Sequence, residues 1–300
     1  MSSPPTPVPD AWVVLEVERP QNEESAALLV EELMGIGGRG VEERGDTFLV
    51  YLPETGTSPE EFTDKLRTNL SRFGDETPLA VTFRRQRHED WEATWREGLH
   101  PRRVTSRLVV APTWEDLELK PGELLISIDP GMAFGTAEHP TTRGCLRLLD
   151  GRVEPGDHVA DIGAGSGILS IAAALLGSER VLAVESDPWS CATARENVDL
   201  NAVADRVEVF EAVVGPEFVP EQPPFDGIVA NIESGVLLLL LEGFRSGLRD
   251  DGWLIVSGIL DSEAQEIVES ASKGGFIRTD EDREDGWWTG AFRAVPSGEG

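Results

Sequence analysis

The chain has 300 residues, 40% of them hydrophobic, which is enough to bury two ordinary cores, so two domains are expected. No stretch approaches the roughly 20 apolar residues that cross a bilayer, and the apolar run over 236–241 reads as a buried helix segment. Fifty-five acidic against 26 basic residues give a net charge of −29, which repels phosphate backbones and argues against nucleic-acid binding.

The acids are spread along the whole chain and only three lysines occur (Lys65, Lys120 and Lys273). That pattern favours adaptation to high salt over steering of one basic partner. Two cysteines, Cys145 and Cys191, exclude a disulfide scaffold and read as core residues. Residues 1–10 are Pro- and Ser-rich and form a flexible tail with no signal-peptide pattern, so a cytoplasmic location is the expectation.

In chain order, residues 11–18 are rich in Val and Leu and predict a strand. Ala26, Leu29, Val30, Leu33 and Met34 recur at helical spacing over 23–34, and Gly35 and Gly37 stop that helix. Short strands follow at 40–43 and 47–52, with Gly45 and Asp46 supplying hairpin chemistry. Ser58-Pro59-Glu60-Glu61 offers an N-cap, a proline at the first helical position and a capping glutamate, opening a helix to about Phe73. A strand over 79–83 completes the order strand, helix, strand, strand, helix, strand, the split arrangement of ferredoxin-like α+β domains. The expected boundaries are 11–84 for this domain and 85–124 for a linker helix and connecting strands. Within the linker Trp91 and Trp95 lie one turn apart and pin a helix to a neighbour, and short strands are expected near 108–110 and 124–128.

From Pro155 the pattern alternates: strands at 158–162, 181–185, 207–211, 227–232 and 253–258, helices at 167–176, 191–201 and 235–248. Such alternation predicts a parallel, doubly wound α/β sheet, in a domain assigned to 125–295.

The chemistry concentrates where the first of these strands ends. Val159-Ala160-Asp161-Ile162 runs into Gly163-Ala164-Gly165-Ser166-Gly167 and then into an apolar helix. Glycines at a strand-to-helix turn let backbone approach a ligand, and the helix start offers unpaired N–H groups. A dinucleotide site wants G-x-G-x-x-G, whereas here the third glycine comes one residue early and Asp161 stands at the strand end. An acid there repels a pyrophosphate but pairs with the amine of a methionyl group, which points to a sulfonium cofactor. Glu185 ends the next strand, where a carboxylate grips both ribose hydroxyls.

Residues 129–142, Asp-Pro-Gly-Met-Ala-Phe-Gly-Thr-Ala-Glu-His-Pro-Thr-Thr, carry a more specific signal. Together with residues 161–169, Val229-Ala230-Asn231-Ile232 and Ser257-Gly258-Ile259-Leu260, they resemble the ribosomal protein L11 methyltransferases (PrmA). The likeness extends over nearly the whole chain, including Asp90-Trp91, Trp95, Pro101, Arg107-Leu108 and Pro112-Thr113-Trp114-Glu115.

The resemblance implies a Rossmann-like class I methyltransferase domain behind a substrate-gripping first domain. The implied activity moves methyl groups from S-adenosylmethionine to amino groups, lysine side chains and the N-terminal amine, of ribosomal protein L11. It places cofactor contacts on Thr142, Gly163, Glu185 and Asn231, with Phe134, Gly135 and Thr136 covering the methionyl end. Asn231 is the expected catalytic residue, accepting a hydrogen bond from the incoming amine. Three positions depart from the family pattern: Ala137-Glu138 in place of Gly-Thr, Glu185 in place of Asp, and Glu233 in place of an apolar residue.

The alternatives are a methyltransferase acting on another protein or a small-molecule amine, and an NAD-dependent oxidoreductase, which the glycine spacing and Asp161 oppose. The four histidines lack ligand spacing, so no metal is expected. His139 reads as structural or substrate-facing. Trp287 and Trp288 on a late strand read as one ring inside and one outside. A monomer is expected, with no membrane partner.

Overall fold

The computed structural model describes residues 11–20, 26, 29–30, 33, 41–44, 47–53, 81–87, 100–129, 135 and 137–296. They fall into two compact units, one within Pro7–Gly98 and one within Leu99–Gly300. The expected helix after Ser58, the Gly45-Asp46 turn, and Trp91 and Trp95 lie outside the described residues.

In the first unit, β1 (Ala11–Glu18), β2 (Val41–Arg44), β3 (Thr47–Pro53) and β4 (Val81–Arg87) form an antiparallel sheet in the order β2-β3-β1-β4. Period-two alternation puts Val13, Leu15 and Val17 on one face of β1, opposite Leu52, Val50 and Phe48 of β3. Ala26, Leu29 and Leu33, helical and buried, pack into the same cluster. The last strand reaches Arg87, four residues beyond the sequence expectation.

The second unit begins with a small sheet of β5 (Arg102–Arg103), β6 (Leu108–Ala111) and β7 (Leu124–Ser127), the last two parallel. Its main sheet contains β8 (His158–Ile162), β9 (Arg180–Glu185), β10 (Val207–Glu211), β11 (Phe225–Asn231), β12 (Leu248–Leu260), β13 (Phe276–Glu284) and β14 (Trp287–Ala294). The order is β10-β9-β8-β11-β12-β14-β13. Five strands are parallel, as expected, but β14 is antiparallel to both β12 and β13, so the sheet is mixed, not wholly parallel. A tight turn at Asp285-Gly286 makes β13 and β14 a hairpin, which needs no crossover helix.

Five helices accompany the sheet: α1 (Pro140–Asp150), α2 (Ile168–Leu176), α3 (Pro188–Leu200), α4 (Ser234–Gly247) and α5 (Ala264–Lys273). None of the described helices is long and apolar enough to cross a membrane. Alternate residues of the central strands divide between two cores. Val159, Val229, Ile255 and Ala291 join the side chains of α1 and α2, whereas Ala160, Ile228, Leu254 and Phe292 join those of α4 and α5. The apolar run over 236–241 is not wholly buried: Leu237, Leu240 and Leu241 face the sheet, while Val236 and Leu239 are exposed, because a helix on one face buries only one stripe.

Helix α1 is locked to the sheet edge by charge. Arg143 and Arg147, one turn apart, donate to Glu284 at 2.6 and 2.7 Å, and Arg147 also donates to Asp282 at 2.7 Å. These hydrogen bonds, Arg143 foremost, pull the Glu284 carboxyl down to about 2. A carboxyl depressed on folding stabilises the protein above its ordinary value of 4.5 and loses that contribution as pH falls toward 2. The Glu284→Gln variant is therefore expected to be about 2 kcal/mol less stable than the parent at pH 7. The two should converge near pH 2 in urea titrations, and a constant gap across that window would refute the assignment.

Candidate active site

The carboxyl end of β8 turns through three glycines in the left-handed region, Gly163 (φ 75°), Gly165 (φ 53°) and Gly167 (φ 80°), before α2 begins. The turn is tied on every side. Gly163 and Ala164 N–H groups donate to the Val184 carbonyl at 2.9 and 3.0 Å. Asn197 of α3 donates to the Ser166 carbonyl at 2.9 Å, and the Ser166 hydroxyl donates to the Gly135 carbonyl. That last bond joins the segment before α1 to the glycine turn. Phe134 and Thr136 lie outside the described residues.

Asp161, at 0% exposure, lies on the same face of β8 as Val159, beneath the turn. Its Oδ2 accepts from the Ser170 hydroxyl at 2.6 Å, and its Oδ1, equally buried, has no partner among the described residues. Burial pushes its carboxyl up to about 7, against the opposing effect of the Ser170 hydrogen bonds. A carboxyl raised on folding favours the folded state most at low pH. Its contribution falls as pH climbs from about 3.8 through about 7, by up to ~1.4 kcal/mol per pH unit. The Asp161→Asn variant is thus expected to melt above the parent at pH 8 and close to it at pH 4. Parallel melting curves at both pH values would show that the carboxyl is ionised throughout.

Glu185 ends β9 with its carboxylate saturated by local donors. Oε2 accepts from the Gly165 N–H at 2.9 Å, and Oε1 accepts from the Ser186 and Asp187 N–H groups at 2.7 and 3.0 Å. It thus links the two strand-end turns. The Ala212 N–H donates to the Glu185 carbonyl at 2.9 Å, bringing the end of β10 to the same level.

Thr142, in the first turn of α1, is buried with its hydroxyl oxygen unpartnered among the described residues. The helix is capped by His139, whose Nδ1 lies 2.7 Å from the Thr141 hydroxyl and whose ring meets Trp287 edge-on at 4.8 Å. Partial burial, with the charge of Arg143, lowers the His139 pKa. Trp288, next along β14, is fully buried and donates to Glu281, so the tryptophan pair divides between core and outside as alternation requires.

Asn231 ends β11 opposite Ser257 of β12, half-buried, and its side chain makes no hydrogen bond to another described residue. The next residue, Ile232, is boxed in: a Cβ on Gly163 would meet its Cγ2 at 2.4 Å, and one on Gly258 would meet its carbonyl oxygen at 2.4 Å. Asn231, the glycine turn, Asp161 and Glu185 therefore converge at the carboxyl ends of adjacent strands, where doubly wound sheets bind ligands.

The two charge departures read from the sequence separate here. Glu138 is paired with Arg102 at 2.8 Å, whereas Glu233 is exposed and has no partner among the described residues. Both cysteines are buried and free, their thiols pushed up by burial. A separate cleft of about 400 Å³ lies at the opposite, amino ends of β8 to β10, lined by His158, Arg180, Val207 and Phe225. It has neither the glycine turn nor Asp161 and Glu185. Sequence reasoning missed Ser166 and Ser170. Ser170 did carry a signal, being the one polar residue in the apolar helix Ile168–Leu176.

Residues 26–294 match the family described as ribosomal protein L11 methyltransferase (PrmA). A protein of that name from Pelotomaculum thermopropionicum is 39% identical over 237 residues, covering 79% of this chain and 76% of that protein. Another from Chloroflexus aurantiacus is 37% identical over 259 residues, covering 79% of each. A crystal structure titled ribosomal protein L11 methylase, from Lactobacillus delbrueckii subsp. bulgaricus, aligns at a TM-score of 0.59 and 34% identity, covering 66% of this chain and 100% of that one. With the family model matched over residues 26–294 and both relatives covered over more than three quarters of their length, this chain belongs to the ribosomal protein L11 methyltransferase (PrmA) family.

Proposed function

We propose that this protein transfers methyl groups from S-adenosylmethionine to amino groups of ribosomal protein L11, lysine side chains and the N-terminal amine. The observation that carries this reading is the strand-end constellation of a glycine turn flanked by Asp161 and Glu185, with Asn231 on the neighbouring strand. The names of the relatives support the protein substrate.

The residues fit such a cofactor. Asp161 Oδ1 and Thr142 Oγ1 are buried polar atoms with unused capacity, and such atoms call for a hydrogen-bonding partner. Gly163 keeps the turn close to the end of the neighbouring strand, since a Cβ there would lie 2.4 Å from Ile232 Cγ2. When bound, the cofactor supplies an electrophilic methyl group on a cationic sulfur. In this reading Asp161 favours the methionyl ammonium, with Phe134, Gly135, Thr136 and Thr142 enclosing that end. Glu185 would hold the ribose hydroxyls in place of its local N–H donors, and the Gly165 and Gly167 backbone would face the ligand.

Displacement at the methyl needs alignment, not a nucleophilic side chain of the enzyme. The Asn231 side-chain oxygen accepts a hydrogen bond from the neutral amine and fixes its lone pair toward the methyl. Desolvation at the cleft favours that neutral form of a lysine, whose ordinary pKa is about 10.4.

The first unit's strand order β2-β3-β1-β4 is that of a ferredoxin-like sheet. We assign it, over 11–84, to holding L11, with 85–124 as connector and 125–295 as catalytic domain. A cytoplasmic, monomeric enzyme is the corresponding expectation. The experiment is a pair of assays: S-adenosylhomocysteine raises the melting temperature while NAD does not, and labelled cofactor transfers label to purified L11. A shift with NAD would favour the oxidoreductase reading. A shift with S-adenosylhomocysteine but label only on small amines would remove L11.

A further inference from the structure

Resting on that reading, we propose that Glu233 is a specificity-determining residue that receives a cationic side chain of the substrate segment beside the acceptor amine. Glu233 stands in the turn between β11 and α4. Two residues of chain bring its Cα within about 7 Å of the Cα of Asn231. It caps α4 by position, yet its side chain makes no capping hydrogen bond.

The one cation on α4, Arg245, stands in its last turn, bonded to the Val295 carbonyl and 3.6 Å from Asp250. The exposed side chains that follow on α4, Val236 and Leu239, are aliphatic. The neighbouring carboxylate, Glu263, is engaged by the Ser234 hydroxyl and the Leu260 N–H, both at 3.1 Å, which gives it a local task. Glu138 is likewise occupied by Arg102. Glu233 is thus an exposed carboxylate two residues beyond Asn231 with no partner among the described residues.

The physical expectation is specific. A rim charge acts on encounter and on salt dependence more than on the chemical step, and an exposed ion pair changes affinity by about two- to fivefold. The Glu233→Gln variant should raise KM for L11 about two- to fivefold at 0.1 M salt, with kcat and the S-adenosylhomocysteine melting shift unchanged. The gap should close near 1 M salt, where the screening length falls to about 3 Å. Glu233→Lys should enlarge the effect.

The control is Glu242→Gln, which removes the same charge from an exposed position farther along α4, and it should leave KM at the parent value. An unchanged KM for Glu233→Gln, with the parent active on L11, would overturn this inference alone. So would a lowered melting temperature with unchanged KM, which would assign the carboxylate to the helix terminus. No transfer to L11 by the parent would overturn both this inference and the functional reading.

Discussion

Replacing Asn231 by alanine is expected to lower kcat for methyl transfer about 100-fold or more while leaving the melting temperature within a few degrees of the parent. The side chain is half-buried at the end of β11 and bonds to no other described residue, so its removal breaks no hydrogen bond among the described residues. What it removes is a fixed acceptor at the point of reaction. Losing one preorganised group of that kind typically costs a factor of 10² to 10³, and a misaligned amine costs more. Asn231→Asp separates the roles, because the shape is kept while a negative charge replaces the neutral oxygen. That charge would hold the amine as ammonium, so kcat should fall and the pH profile should move upward. A less than fivefold change for Asn231→Ala would remove it from the chemistry.

Gly163→Ala is expected to be the most damaging conservative change in the glycine turn. Alanine at φ 75° is strained by about 1 kcal/mol or more, and its Cβ would lie 2.4 Å from Ile232 Cγ2. The isoleucine has nowhere to retreat. Its side chain is stiff at χ1, its N–H donates to the Ser257 carbonyl at 3.1 Å, and its carbonyl is pressed against Gly258. Strain and overpacking together should lower stability by about 2–4 kcal/mol. Because Asn231 precedes Ile232, the reacting geometry moves too. Thermal melts with and without S-adenosylhomocysteine check both effects: a lower melting temperature and a ligand shift reduced to near zero. A normal ligand shift would mean that the cofactor does not approach this turn.

How much was legible in the sequence follows from how local each signal is. The glycine turn, Asp161 and Glu185 could be read because strand, turn and helix are contiguous and periodicity marks where the strands end. Helix α1 could not. Its buried face carries Thr141, Thr142, Arg143 and Gly144 as well as leucines, so no apolar stripe announces it. Arg143 is tolerable there because Glu284, 141 residues away, meets its charge, while the Ala137 and Glu138 carbonyls take its remaining N–H groups. Gly144 is there because Thr289 comes so close that a Cβ would lie 2.3 Å from its Oγ1.

The antiparallel hairpin was hidden for a related reason. Strand β13 is an exposed edge, Phe276–Glu284, nearly all polar after its first residue, so alternation is absent. The opposite error occurred in α4, where consecutive leucines read as uniform burial although two of the apolar side chains face outward. Glu185 was placed correctly at its strand end, but nothing in the sequence tells that its carboxylate spans to the Gly165 N–H. That contact depends on the bend of the turn.

The central claim is that a sulfonium methyl, held over the ends of β8 and β9, is delivered to an amine of L11 aligned by Asn231. The most direct measurement is intact-mass and peptide mass spectrometry of L11 after incubation with this enzyme and S-adenosylmethionine. The account predicts added methyl groups on amino nitrogens of L11 with the parent and almost none with Asn231→Ala. Unmodified L11 with the parent, or equal methylation by the variant, would contradict it.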